Sequence, residues 1–312
     1  MADRLMIETR KLTRRFGDLT AVDGIDLSVT EGTIHGFVGP NGAGKTTTIK
    51  MLIGALRPSD GNGWIRGQPI GSTDARATIG YCPERPFFYD DMPALDYLVY
   101  MARLCDVGGR EASEKARQLL DWLDLGGFVY ARAGGFSAGM KQRLGLAQAL
   151  IHDPELLILD EPTANMDPTG RLSILDKLKE LSQERGVTIF LSSHILSELE
   201  QIVGSLTMID HGRIVVSGQM EELRKRFSGN HYLIRTSNNA VVLQGIQGKG
   251  YVREAWLDDE DGFVHAVSDE GHTLRRRVLD IVVQQGLDLQ HLSEERVDLQ
   301  SIYRKTMGMK EE

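Results

Sequence analysis

A chain of 312 residues, 41% apolar and 26% charged, has room for one large and one small domain, or for two of medium size, each with an ordinary core. Its net charge of −8 speaks against wrapping nucleic acid, whose phosphates need a basic surface. Cys82 and Cys105 have no CxxC spacing and no companion histidines, which excludes a cysteine-based metal site and fits reduced thiols in the cytosol. The opening "MADRLMIETRKLTRRFG" breaks every apolar run with charge, so it does not read as a signal peptide. No stretch approaches the ~20 apolar residues of a membrane helix, so work at a membrane would need another chain's span.

In chain order, "MIETRKLTRRF" and "AVDGIDLSV" alternate polar and apolar residues, as an antiparallel flank does. "TIHGFVG" (Thr33 to Gly39) reads as a buried strand, and Ile49, Leu52, Ile53 and Leu56 then fall on one face of a helix, with Pro58 just beyond. "RPFFYDDMPALDYLVYM" (Arg85 to Met101) reads as helical. "LLILD" and "VTIFLSS" are further continuous apolar strands, each followed by helical periodicity. Such alternation predicts a parallel sheet covered on both faces. "SLTMIDHGRIVVSG" predicts a hairpin turning at His211-Gly212. The pattern changes after "MEELRKRF". From His231 it runs strand, helix, strand, strand, helix, strand, helix, with "YVREAWLD" and "GFVHAVS" as middle strands joined by "DEDG". This order resembles a ferredoxin-like α+β unit, which carries little functional information.

"GPNGAGKTT" fits G-x-x-x-x-G-K-[ST] between a predicted strand and a predicted helix. The backbone N–H groups of Gly39, Pro40–Gly44 and Thr46–Thr47, apart from the proline, are placed to cradle phosphate oxygens, with Asn41, Gly42 and Ala43 at the turn. Lys45 supplies positive charge to the β and γ phosphates, and the Thr46 hydroxyl is a Mg²⁺ ligand. A plain glycine turn would need neither Lys45 nor this context. In "LLILDEP", Asp160 ends a strand where it can reach Mg²⁺, and Glu161 is placed to act as general base on water. "SSH" brings His194 to another strand end, where it can bond a γ-phosphate, although a lone histidine there is more often structural.

"GGFSAGMKQR" opens a second helix. Ser137 can cap it and offer its hydroxyl to an anion, and Gly139 permits close backbone approach. Behind them, Met140, Leu144, Ala147 and Ile151 are expected to face the core, and Lys141, Gln142 and Arg143 the solvent.

The phosphate loop, then "FSAGMKQR", "LLILDEP", "NMD" and "SSH", in that order, resembles the ATP-binding subunit of an ABC transporter, over roughly residues 5 to 225. The resemblance implies an α/β P-loop core with an antiparallel β flank and a helical subdomain carrying the signature motif. With the small C-terminal unit, the expected domains are 1–226, its helical subdomain at about 85–155, and 227–312. By position, the resemblance makes Phe16 the adenine-stacking aromatic, Gly39 to Thr47 the phosphate loop and His194 the γ-phosphate contact. Glu84 stands where the family usually has glutamine and joins Thr46 and Asp160 as a metal-side oxygen. The usual LSGGQ signature reads Phe136, Ser137, Ala138, Gly139, Met140 here. Asn165, Met166 and Asp167 form the loop after the base, with Met where Leu is common. Phe87, Phe88 and Tyr89 fall where the family receives a short permease helix.

The implied function is Mg²⁺-dependent ATP hydrolysis by a head-to-tail dimer of two such chains. Each ATP would meet the phosphate loop, Asp160, Glu161 and His194 of one chain and Ser137 and Gly139 of the other. The dimer would drive a separately encoded membrane permease from the inner face of the cell membrane, with export favoured over import and no nucleic-acid partner. Two other readings remain: a soluble ABC ATPase of translation or DNA repair, and a nucleotide-dependent regulator that does not hydrolyse. The first usually has two cassettes or a long coiled coil, and Glu161 speaks against the second.

Overall fold

The computed structural model describes residues 4–164, 166–193, 195–227, 230–258, 261–294 and 298–307. The chain divides into two compact units, Met1–Met220 and Glu221–Glu312.

In the first unit, β1 (Leu5–Phe16) pairs antiparallel with β2 (Leu19–Ile25) and β3 (Ser28–Thr30), as the alternation predicts. β4 (Ile34–Val38) is buried throughout and feeds α1 (Lys45–Leu52). That helix is shorter than the sequence periodicity implies. It stops where Gly54 turns to φ +76, packed so tightly on Gly71 that a Cβ would sit 2.6 Å from its Cα. Ile53 and Leu56 nevertheless pack on the same core. β5 (Asp60–Ile65) joins β1, and β6 (Gln68–Pro69) joins β5. α1 lies between this flank and a second sheet, and one apolar cluster, including Ile7, Phe37, Ile49, Leu52, Ile158 and Phe190, fills the space.

After α2 (Thr73–Ala77) and β7 (Ile79–Cys82) comes the helical subdomain: α3 (Ala94–Leu104), α4 (Gly109–Trp122) and α5 (Ala138–Leu150). Two expectations fail here. Residues 85–92 are not helical, because Pro86 and Pro93 drive the residues before them away from the α region, and α3 starts only after Pro93. Gln142 does not face solvent. Helix α5 packs on β7, α3 and α4 at once, so Gln142 is buried and its amide donates to Cys82 Sγ at 3.6 Å. Arg143 is half-buried against Asp124 at 3.2 Å, and Met140 is only half-buried.

The unit closes with β8 (Leu156–Asp160), α6 (Pro168–Arg185), β9 (Thr188–Ser193), α7 (Leu196–Leu199), β10 (Ser205–Asp210) and β11 (Arg213–Gln219). The sheet order is β11-β10-β4-β9-β8-β7, parallel except for the hairpin strand β11. The hairpin turns at His211 (φ +44) and Gly212 (φ +78), both left-handed, as a two-residue turn of this hand requires.

Buried polar groups interrupt the apolar strands, His35 among them. His35 on β4 bonds Ser205 Oγ at 2.7 Å and Thr207 Oγ1 at 3.0 Å, and stacks on Phe190. Burial pushes its imidazole down to about 3. The unfolded chain protonates His35 near its ordinary value while the folded chain does not, so the stability present above that value is lost as pH falls. Between pH 6.5 and 5 the loss amounts to about 2 kcal/mol. Urea melts at pH 7 and pH 5 should show His35→Asn losing correspondingly less stability than the wild type, and equal losses would remove His35 as the titrating group.

The second unit follows α8 (Met220–Phe227), whose first residue is the last of the first unit. It runs β12 (His231–Thr236), α9 (Asn239–Ile246), β13 (Glu254–Leu257), β14 (Val264–Val267), α10 (Gly271–Gln284), β15 (Leu289–Glu294) and α11 (Leu299–Met307). The antiparallel sheet, ordered β13-β14-β12-β15, has ferredoxin-like topology, as the element order predicts. Tyr232, Ile234, Val264 and Ala266 of the sheet and Val242, Leu274 and Val278 of its helices form the core. Of the "DEDG" connection, residues 259 and 260 lie outside the described residues.

Candidate functional site

The loop from Gly39 to Thr47 leaves the C-terminal end of β4, where an open parallel sheet presents its crevice. Two of its glycines are steric requirements. A Cβ on Gly39 would stand 2.2 Å from the Ile209 carbonyl oxygen. Gly44 takes φ +108 and has the Ala21 carbonyl 2.6 Å from where a Cβ would be. The hairpin turn braces the loop from outside. Gly212 N–H donates to the Ala43 carbonyl at 2.9 Å, and the Gly212 carbonyl accepts from Asp23 N–H at 2.8 Å.

Lys45 is buried at the start of α1. Its ammonium folds back on the loop, donating to the Gly39 carbonyl at 2.7 Å and the Pro40 carbonyl at 3.4 Å, and lies 3.7 Å from Glu161 Oε1. Thr46 is exposed in the first turn of α1. Asp160 ends β8 in the interior, accepting a 2.7 Å hydrogen bond from the Ser192 hydroxyl. Glu161, next along, has φ +52, a left-handed conformation uncommon for a residue with a Cβ. Phe16, Pro40, Asn41, Gly42, Gly44, Lys45, Thr46, Thr47, Glu84 and Glu161 share one cleft of about 330 Å³. Phe16 is partly exposed, with the Arg14 guanidinium 4.5 Å from its ring centre. Glu84 is exposed and lies 3.7 Å from Arg85.

Other predicted residues stand elsewhere. Gly39 and Ala43 form the loop's inner side, and Asp160 lies behind Glu161 rather than on the cleft wall. Ser137 and Gly139 do not line the cleft. Ser137 caps α5, its Oγ accepting from Met140 N–H at 3.2 Å, and is otherwise exposed. A Cβ on Gly139 would meet nothing nearer than Met166 Cε at 3.7 Å, an ordinary contact. His194 and Asn165 lie outside the described residues. Met166 is buried, and Asp167 caps α6 by accepting from Gly170 N–H at 3.0 Å, a bond that holds its carboxyl below the usual range.

Both cysteines are free thiols. Burial first, and the charge of Asp160 second, push the Cys82 thiol up to about 12, so it stays protonated and inert at neutral pH.

Sequence reading misses two groups. Ser192 joins Asp160 and Glu161 across neighbouring strands. Glu198 accepts from the Thr163 hydroxyl at 2.7 Å and from Arg171 Nη1 at 3.1 Å, while Arg171 Nε donates to the Met166 carbonyl at 2.8 Å. This network ties the loop after the base to the segment after β9. Only the side chains' capacity for hydrogen bonding is visible in sequence, not the pairings.

The site is built to receive a polyphosphate: a buried cation, turned backbone N–H groups and a carboxylate behind them. Thr46, Asp160 and Glu84 offer only hard oxygen donors, which suit Mg²⁺ rather than a thiolate-seeking metal.

Residues 22–164 match the family model described as "ABC transporter". The bacitracin transport ATP-binding protein BcrA of Bacillus licheniformis is 35% identical over 308 residues, 97% of each chain. The chain belongs to the ABC transporter family, as an ATP-binding subunit. YxlF of Bacillus subtilis (strain 168), an uncharacterized ABC transporter ATP-binding protein, is 33% identical over 97% of this chain and 99% of its own. A solved ATP-binding subunit of an ABC transporter superposes with a TM-score of 0.66 at 28% identity, covering 71% of this chain and 93% of that one. The family and P-loop fold read from the motifs are therefore borne out, and so is ATP hydrolysis as the activity of this ABC subunit. Among the described residues no helix is long and apolar enough to cross a membrane.

Proposed function

We propose that two copies of this ABC subunit clamp two ATP molecules head to tail and drive a separately encoded permease. The observation that carries this is the placement of Ser137 and Gly139. Ser137 is exposed at a helix N-terminus, and glycine at 139 answers to no steric need inside its own chain. A helix start with an exposed hydroxyl and an open backbone approach suits the γ-phosphate of an ATP bound to the other copy. The working units would be an ATP-binding cassette over 1–226, its helical subdomain at about 85–155, and an accessory domain over 227–312.

In each site Phe16 would stack on adenine, and the N–H groups of the loop and Lys45 would hold the β and γ phosphates. Their charge competes with the Gly39 carbonyl and Glu161 for the Lys45 ammonium. As Lys45 turns to phosphate, the Glu161 carboxylate is released from its 3.7 Å contact with the ammonium and is free to accept from the attacking water. It takes a proton from water as the water oxygen bonds the γ-phosphorus, while the bond from that phosphorus to the β–γ bridging oxygen breaks and ADP leaves. His194 would hold the γ-phosphate. Thr46, Asp160 and Glu84 would hold Mg²⁺, which supplies charge neutralisation on the phosphate oxygens.

The permease would sit on the aromatic groove of the helical subdomain. Phe87, Phe88 and Tyr89 line it with Tyr97, Tyr100 and Leu104, and Phe87 is 89% exposed. Such an apolar patch on the surface fits a protein partner. The chain would then work on the cytoplasmic face of the cell membrane, held there by the permease. Export is favoured over import, and the match to the bacitracin transport subunit, which spans nearly the whole of both chains, supports the transport role itself. Affinity purification of the tagged full chain from its host's solubilised membranes should recover an integral membrane protein. Recovery of ribosomes or DNA in its place would overturn the transport reading in favour of a translation or repair ATPase.

A further inference from the structure

Under the reading above, Asp160 and Glu161 are adjacent residues with different tasks, one holding the cation and the other taking the proton. Their own strand does not fix the angle between them. Asp160 ends β8 in extended register, and Glu161 then swings to φ +52, a conformation that persists only where neighbours impose it.

Ser192 imposes it. It stands opposite Asp160 in the parallel β8–β9 ladder and is completely buried. A carboxylate only accepts and an amide N–H only donates, so the hydroxyl's roles are fixed. Ser192 Oγ–H donates to Asp160 Oδ1 at 2.7 Å, and Oγ accepts from Glu161 N–H at 3.1 Å. The same N–H lies 3.2 Å from the Ser192 carbonyl oxygen. One hydroxyl thus grips the side chain of one residue and the backbone of the next, on both sides of the peptide bond that joins them. On its other edge β9 pairs with β4, the strand that leads into the phosphate loop, and Ser192 faces Phe37 there.

We propose that Ser192 is a positioning residue for hydrolysis: the hydroxyl that joins Asp160 Oδ1 to Glu161 N–H sets the carboxylate that holds the cation and aims the base in one move. This rests on the roles given to Asp160 and Glu161 above. Ser192 is fully buried and does not line the nucleotide cleft, so it acts through Asp160 and Glu161. With Oδ1 held by Ser192, the second oxygen of Asp160 would be the one left to hold the cation. Alanine at 192 removes the hydroxyl that donates to that carboxylate and leaves the Glu161 N–H with the Ser192 carbonyl alone of its two acceptors on Ser192, while the phosphate loop is unchanged.

The test uses the full chain with alanine and cysteine at position 192. It measures steady-state ATP turnover across a Mg²⁺ titration, binding of a fluorescent ATP analogue without Mg²⁺, and thermal melting. Ser192→Ala should lower kcat roughly 10- to 100-fold, the scale of a misplaced catalytic group. It should raise the Mg²⁺ concentration for half-maximal rate at least about threefold and leave Mg²⁺-free nucleotide affinity within about twofold, since the phosphate loop is intact. Ser192→Cys, with a weak S–H donor, should fall between alanine and wild type. A buried serine that only fills space would shift the melting temperature and leave kcat per folded molecule and the Mg²⁺ dependence alone, and that result overturns the proposal. Glu161→Gln, assayed in parallel, separates the two layers. If it retains turnover, the assignment of the base is wrong. If it is inactive while Ser192→Ala behaves as wild type, the positioning role alone falls.

Discussion

Replacing Glu161 by glutamine should lower ATP turnover by about 10²- to 10⁴-fold while ATP binding survives. Glutamine keeps the size and one oxygen of the side chain but accepts no proton from water. The loss corresponds to about 3 to 5 kcal/mol of barrier. Binding survives because the phosphates are held by the loop and by Lys45, which in this structure touches Glu161 only at 3.7 Å and keeps two backbone carbonyls as partners. Removing the carboxylate also removes a competitor for the ammonium, so ATP should bind as tightly as before or more so. Phosphate release against Mg²⁺-ATP, with nucleotide affinity measured by fluorescence titration, checks both halves. A variant that hydrolyses at the wild-type rate would show that Glu161 is not the base.

Ser137→Arg is expected to abolish turnover, by about 10²-fold or more, through a different route. The residue lies off the cleft of its own chain, so monomeric ATP affinity should stay within about twofold of wild type. An arginine at the exposed start of α5 would stand where the partner's γ-phosphate is to be received. It would also remove the cap that accepts from Met140 N–H, costing stability of about 1 kcal/mol. Ser137→Ala serves as the comparison, because it loses the same cap without the bulk and should retain measurable turnover. The pair is read by ATPase assay and by ATP-dependent dimerisation of the Glu161→Gln background. Normal hydrolysis by Ser137→Arg as a lone chain would sink the shared-site account.

What could be read from the sequence divides along a physical line. Residues whose constraint is local were legible. Gly44 must be glycine because its own φ is +108, and the loop's lysine follows it directly. Asp160 and Glu161 are placed by the apolar run before them, whereas Asp167 enters the reading only through the family pattern, and its capping of α6 is visible only in the structure. Residues whose role depends on register across strands were not. Ser192 meets Asp160 because β9 aligns with β8 in one register, which no spacing in the sequence states. The meeting of Glu198 on α7 with Thr163 and with Arg171 on α6 is set by tertiary packing, which no spacing states either. Gln142 was read as exposed because a two-sided helix pattern assumes one buried face, whereas α5 is enclosed by β7, α3 and α4. His35 hid inside a strand that reads as buried, and its partners Ser205 and Thr207 come from β10, far along the chain.

The hairpin at His211 and Gly212 bears on when the protein becomes competent during synthesis. The phosphate loop is encoded near the start, yet its inner wall is the Ile209 carbonyl and its brace is Gly212 N–H on Ala43. Until residue 212 has left the ribosome, the loop has its own sequence but not its frame, and contacts so distant in sequence close late. A nascent chain halted before β10 carries the whole G-x-x-x-x-G-K-[ST] motif and still lacks the built nucleotide site.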